Sequence, residues 1–457
     1  MTDWTALTAT EIAAALALRE TTAVAVAEAF LERIAAEDMA IRSFITVSAD
    51  QALAAARASD LRRAGGHPLH ALDGVPVAVK DNIDAAGLPC TGGMELHRQR
   101  IPTADAACIS RLKHAGAVLL GKLNLHEGAL GATNDNAAYG RCENPVKPGY
   151  TPGGSSGGSG AAVAARFCPV ALGTDTMGSV RIPAAYCGVM GLKPTYGLVS
   201  TRGVMPLSWT LDHVGPLARS VGDLALVTDA MAGWDADCLE SRSAPDGWTA
   251  LYEPVGGTAP LAGVALGRPA QVDAVGCQPA VLAAFEAALG RLAELGATVR
   301  RIEVPGWDPG KARRGGLLLS EAEGAFAHAA EMDTRPEGFT EGFLAMLHYG
   351  RDAGSLRIVD AQRRVREAGH ACDAAFLAHG LDALVMPTAP QAAFPHGAPV
   401  PANQADLTAL ANFSGRPAVS VPKGADADGL PVGLQFVGHR WGEAAILRMA
   451  DAFTASR

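Results

Sequence analysis

Between Gly153 and Pro183 the chain reads GGSSGGSGAAVAARFCPVALGTDTMGSVRIP, two turns of glycine and serine that hold Ser155 and Ser179 at either end of a short apolar segment. Glycine beside serine lets the backbone take positive φ and brings bare N–H groups close to a ligand, and acyl chemistry on a carbonyl needs both. A flexible linker of this composition would continue as low complexity, whereas the run passes at once into AAVAARF and then CPVALGTD. A phosphate-cradling loop would need Gly-Lys-Ser/Thr or G-x-G-x-x-G, and GGSSGGSGAA supplies neither. The segment therefore reads as the serine-bearing turns of a hydrolase.

Around it, helical and strand signals alternate. Thr8 with Glu11 reads as a capping box at the start of a two-helix segment. GVPVAVKDNI (74–83) and GAVLLGKL (116–123) are apolar runs opened by glycine, with the amphipathic ACISRLKHAG (107–116) between them, which is β-α-β logic. Further strands are expected at 263–267, 298–304, 382–387, 418–422 and 432–438, with a helix over PAVLAAFEAALGRLAELG. With 457 residues, 49% of them apolar, the chain can bury a large core, and no composition shift divides it into independently patterned halves. One α/β domain follows, a mixed twisted sheet covered by helices on both faces, parsed as residues 1–65 (N-terminal helices), 66–235 (catalytic core), 236–375 (variable, substrate-selecting) and 376–457 (return to the sheet).

A serine hydroxyl needs a neighbour to take its proton. Twelve histidines are present, none within the serine turns. Lys80 is the other candidate: it ends the apolar run VPVAV, where burial disfavours the ammonium and lets a neutral amine act as base.

GVPVAVKDNID, TPGGSSGGSGAAVAA and GTDTMGSVRIPAAYCGVMGLKPTYGLVS resemble the amidase signature family, whose members cleave amides and related acyl compounds with a Ser-cisSer-Lys triad. The likeness extends through TADAACISRLKHAGAVLLGK and PAVSVPKGADADGLPVGLQFVG and is weakest between Asp235 and Phe376. It implies that Ser179 is the nucleophile, Ser155 the bridging serine on a cis peptide and Lys80 the terminal base. The backbone N–H groups of Thr176, Met177, Gly178 and Ser179 would form an oxyanion hole, with Asp175 and Arg181 bracing the turn. Met177 stands where the family usually has glycine, so its side chain either enters the acyl pocket or packs beneath the loop. Ala129 falls in a segment that similar proteins use to line the pocket, although plain helix packing is equally open.

The resemblance implies hydrolysis of an amide, or of a related carbamate or ester, through a seryl acyl-enzyme. Its glutaminase branch carries Gly-Phe-Gly-x-Glu-x-x-Arg-Arg, where this chain reads GFTEGFLAMLHYG (338–350), with Ala345 and Met346 in place of the arginine pair. Losing a cation and gaining Phe343, Leu344, Met346 and Leu347 points to an uncharged, partly apolar substrate, unless the four are a helix's core face. The alternative is a glutaminase-type or other catalytic subunit of a multi-subunit amidotransferase or hydrolase.

A net charge of −9 argues against a nucleic-acid surface. The start MTDWTALTATEIAAALALRE lacks a cationic leader and no run is long and apolar enough to span a bilayer, so the cytoplasm is expected. Eight cysteines without a C-x-x-C pair read as small buried residues, and His126-Glu127 begins like a zincin helix but has Leu130 where the second histidine belongs. No metal and no cofactor are expected. The partner expected is a small-molecule substrate, without nucleic acid or membrane, and the assembly considered is a homodimer.

Overall fold

The structure is a computed structural model and describes residues 2–455. Eleven strands form one sheet: β1 (Phe44–Val47), β2 (Pro76–Lys80), β3 (Val118–Leu123), β4 (Val170–Thr174), β5 (Met190–Lys193), β6 (Val214–Ala218), β7 (Ala265–Pro269), β8 (Thr298–Ile302), β9 (Ala383–Pro387), β10 (Ala418–Ala425) and β11 (Pro431–Val437), in the order β1-β3-β2-β4-β6-β5-β10-β11-β9-β7-β8. The trios β3-β2-β4 and β9-β7-β8 are parallel, and every pairing between them is antiparallel. Crossover helices produce the parallel trios: Ala107–His114 connects β2 to β3, and Pro279–Glu294 connects β7 to β8. All five residues of β2, β4, β6 and β9 are buried, as near-continuous apolar strands covered on both faces should be.

The expected strands at 74–83, 116–123, 263–267, 298–304, 382–387, 418–422 and 432–438 all materialise, and Thr8 with Glu11 makes both halves of the capping box. The sequence reading did not assign β1, β4, β5 and β6. The last two read MGLK and VGPLA, too short and too rich in glycine and proline to show a period. All eight cysteines are free thiols. Among the described residues no helix is long and apolar enough to cross a membrane.

Three helices, Pro309–Ala327, Glu341–Arg351 and Ser355–His379, pack on one another beside the serine turns. Their approach depends on glycine: a Cβ on Gly350 would lie 2.2 Å from the carbonyl carbon of Glu321. The substitution Gly350→Ala therefore wedges the 341–351 helix away from the 309–327 helix. It should cost about 1–3 kcal/mol, the usual range for overpacking, read as a lower midpoint in thermal unfolding.

Candidate functional site

The serine turns are packed too closely for anything but glycine and small side chains. Ser155 precedes the helix Gly157–Ala164, seven of whose eight residues are glycine or alanine-sized and which is buried along nearly its whole length. A Cβ on Gly158 would lie 2.4 Å from the Asn124 carbonyl oxygen, so the glycine run provides close approach of backbones. The peptide bond Gly154–Ser155 is cis. Ser156 ties the two turns together: its N–H donates to the Ser179 carbonyl at 3.3 Å and its hydroxyl to the Thr174 carbonyl at 3.1 Å.

Lys80 arrives from the end of β2, which lies beside β4, the strand that leads into the second turn. Its Nζ lies 2.7 Å from Ser155 Oγ and 2.7 Å from Thr174 Oγ1, with no solvent exposure. Burial brings its pKa down to about 7, against the opposing pull of the Asp212 and Asp175 carboxylates. An amine held this low has its uncharged form within reach near neutrality. Ser179, in the turn that follows β4, is partly exposed.

The turn 175–179 is held from below. Asp175 and Arg181 are fully buried and paired by two contacts of 3.0 Å, and Arg181 also donates to the Thr408 carbonyl, Gln435 Oε1 and Asn412 Oδ1. Burial alone would raise the Asp175 carboxyl, but the Arg181 charge and hydrogen bonds hold it well below the usual carboxylate range. The Gly178 amide, expected among the oxyanion donors, is already committed: it donates to Asp175 Oδ1 at 2.7 Å. The N–H groups of Thr176, Met177 and Ser179 have no acceptor among the described residues and remain available to a carbonyl oxygen.

Met177 lies with its side chain among Leu211, Leu319, Val365 and Phe413, and a methyl on Gly316 would come within 2.8 Å of its sulfur. Those contacts put the partly exposed side chain against the 309–327 helix. Ala129 is buried at φ 60° in an apolar cluster with Leu125, Leu130, Leu207 and Phe343. Of the four apolar residues in the 338–350 segment, Phe343 and Leu347 are buried and Leu344 and Met346 are partly buried in that same cluster, while Ala345 is exposed. Phe343 sits directly on Gly128, where a Cβ would fall 2.0 Å from the ring, and Glu127 accepts hydrogen bonds from the Thr340 amide at 3.0 Å and from its hydroxyl. Of the His126-Glu127 pair, zincin-like on paper, Glu127 instead ties the Ala129 segment to the start of the 341–351 helix.

Two groups near Lys80 had no sequence signal of their own. Thr174 lies inside the quoted GTDTMGS motif but carries no recognisable role there, and Asp212 belongs to the loop between β5 and β6. Asp212 is buried, accepts from Thr176 Oγ1 at 2.6 Å and from the Leu207 and Ser208 amides, and its carboxyl is raised to about 6 by burial.

A family model described as Amidase matches residues 25–447. A relative from Chloroflexus aurantiacus, named as one subunit of glutamyl-tRNA(Gln) amidotransferase, is 40% identical over 479 residues, covering 99% of this chain and 97% of the relative. The fold matches, at a TM-score of 0.90 and 35% identity over 98% of each chain, a structure described as "An unexpected vestigial protein complex reveals the evolutionary origins of an s-triazine catabolic enzyme". It matches the native peptide amidase from Stenotrophomonas maltophilia at a TM-score of 0.86 and 33% identity, over 98% of this chain and 96% of that one. These names overturn the expectation of a small molecule without nucleic acid, and of no partner but a second copy of the chain. The Chloroflexus protein is one component of a larger enzyme, and that enzyme is named for a tRNA. The net charge of −9 bears on a broad basic face and carries no information on assembly with other subunits.

If the contacts of Met177 with the 309–327 helix are its whole role, Met177→Gly should lower turnover of short and long acyl anilides by the same factor and destabilise the protein by about 1–3 kcal/mol, as a partly filled cavity does. The ratio of kcat/KM between the two anilides is the measurement, and a changed ratio would assign the side chain to the acyl pocket.

Proposed function

The chain belongs to the Amidase family, enzymes acting on carbon–nitrogen bonds, and from that premise we propose that it is the amide-cleaving subunit of a multi-subunit amidotransferase or hydrolase, working through a seryl acyl-enzyme. The observation that carries the chemistry is the 2.7 Å contact between buried Lys80 Nζ and Ser155 Oγ beside the Ser179 turn. The multi-subunit part of the reading rests on the likeness, over 99% of the chain, to a component of glutamyl-tRNA(Gln) amidotransferase.

In the proposed cycle neutral Lys80 takes the proton of Ser155 as Ser155 takes that of Ser179, and the Ser179 oxygen adds to the amide carbonyl. The N–H groups of Thr176, Met177 and Ser179 hold the oxygen that becomes negative; losing one such donor typically costs about 3–4 kcal/mol. The tetrahedral centre collapses as the relay returns its proton to the departing nitrogen, leaving an ester on Ser179. Water enters by the same relay and releases the acid. The released amine or ammonia is then free to pass to an acceptor in the assembly.

A second reading, a stand-alone amidase, is favoured by one observation: the 338–350 segment offers apolar surface and no cation toward the cluster that holds Ala129. The two separate cleanly by purifying the chain alone and with whatever co-purifies from its own host, then following ammonia release from glutamine and from neutral alkyl and aryl amides. The multi-subunit reading expects turnover only in the assembly. Full turnover of any of these amides by the isolated chain would replace it with the second.

In whichever form is active, Ser179→Ala should abolish turnover, and Ser155→Ala and Lys80→Ala should each cost orders of magnitude at unchanged thermal stability, as residues acting as one unit do. Wild-type rates in Lys80→Ala would remove the relay. Because only unprotonated Lys80 can accept the proton, kcat/KM should fall tenfold per unit as pH drops below about 7. The Asp212 carboxylate raises the lysine's pKa, so Asp212→Asn should move that acid limb to lower pH, read from the same pH–rate profile.

A further inference from the structure

His97, His328 and Glu331 meet on the far side of the apolar cluster that contains Ala129 and Phe343. His97 ends the short turn Glu95–His97, His328 joins the helices Pro309–Ala327 and Ala329–Thr334, and Glu331 lies three residues on, at the i,i+3 spacing that puts both side chains on one helix face. His97 Nε2 is 3.4 Å from Glu331 Oε1, His328 Nδ1 is 3.0 Å from Glu331 Oε2, and the three donor atoms all lie within 4.8 Å of one another. We infer that these three side chains form a binding site for a divalent transition-metal ion of the zinc type, separate from the serine turns.

The donor set decides the class of ion. Two imidazole nitrogens with one carboxylate suit zinc and its neighbours, whereas calcium and magnesium take oxygen ligands. Ligands about 2.1 Å from a tetrahedral ion stand about 3.4 Å apart, so small side-chain rotations bring all three into range. The imidazoles are held for the purpose. His328 is buried, with the rings of Phe339 and Phe343 edge-on at 5.8 and 6.1 Å. Glu331, 26% exposed, leaves the fourth position open to solvent. Of the nearby cations, Arg100 is neutralised by Asp84 at 2.6 and 2.8 Å, and Arg335 is the charge a bound ion must tolerate. An ion here would staple the 95–97 turn to the helix junction. Through Phe343, which rests on Gly128, it would stiffen the segment that bears Ala129. The relay of the proposed hydrolysis uses no metal, so the ion site stands or falls independently of it.

The test is calorimetric titration of Zn2+ into the chelator-treated full chain, with Co2+ absorption as a second probe. One saturable ion per chain, a raised Tm with Zn2+, and visible bands with Co2+ are expected in the wild type. Loss of all three is expected in His97→Ala and in Glu331→Gln, a near-isosteric change at a partly exposed position that guards against misfolding in His328→Ala. Absence of saturable binding, or unchanged stoichiometry in His97→Ala and Glu331→Gln, overturns the site.

Discussion

A carboxylate and a guanidinium buried together beneath the second serine turn organise much of this structure. Asp175 and Arg181 are each without solvent exposure, and either charge left alone there would be far costlier than the pair. Arginine is required because its donors outnumber one carboxylate's needs. The surplus reaches the Thr408 carbonyl, Gln435 on β11 and Asn412 on the helix Ala409–Phe413, and Asn412 in turn donates to Asp175. A turn that glycine makes conformationally free is thus clamped to residues near the far end of the chain. A lysine would satisfy the charge and lose the clamp.

The same arrangement governs the electrostatics above it. Lys80 feels the charge of two carboxylates of different availability. Asp175 is already matched by Arg181, while Asp212 accepts only from a hydroxyl and two amides. Burial pushes the amine towards neutrality while these charges pull the other way, leaving its pKa at about 7. The Thr176 hydroxyl, bonded to Asp212, couples the carboxylate to the very turn whose amides are open to a carbonyl oxygen.

Much of this was legible in the sequence, and the failures have physical causes. Strands such as VPVAV and DALVMP announce themselves by apolar runs bounded by glycine or proline, and Lys80 is conspicuous because it closes one of them. β5 and β6, with Gly191, Gly215 and Pro216 inside four- and five-residue strands, have no period to read; their place is fixed by β4 and β10 on either side. The Gly178 amide could not be assigned from its motif alone, since its acceptor is a side chain three residues earlier whose orientation Arg181 determines. Nor could charge and composition reveal partners: a net charge of −9 is a sum over the surface, and docking depends on where individual residues lie.

The antiparallel junction of β5 with β10 joins stretches of chain that lie far apart in sequence. β2, β3, β4 and both serine turns lie between residues 76 and 180, yet the Arg181 contacts to Thr408, Asn412 and Gln435, and the strand that flanks β5, come from residues 408–435. Without those residues the Asp175–Arg181 pair beneath the second turn would lose its outer partners. The shape of the second serine turn is therefore set by contacts 227 to 254 residues away in sequence, so a change in the 408–435 stretch can alter a turn it does not belong to.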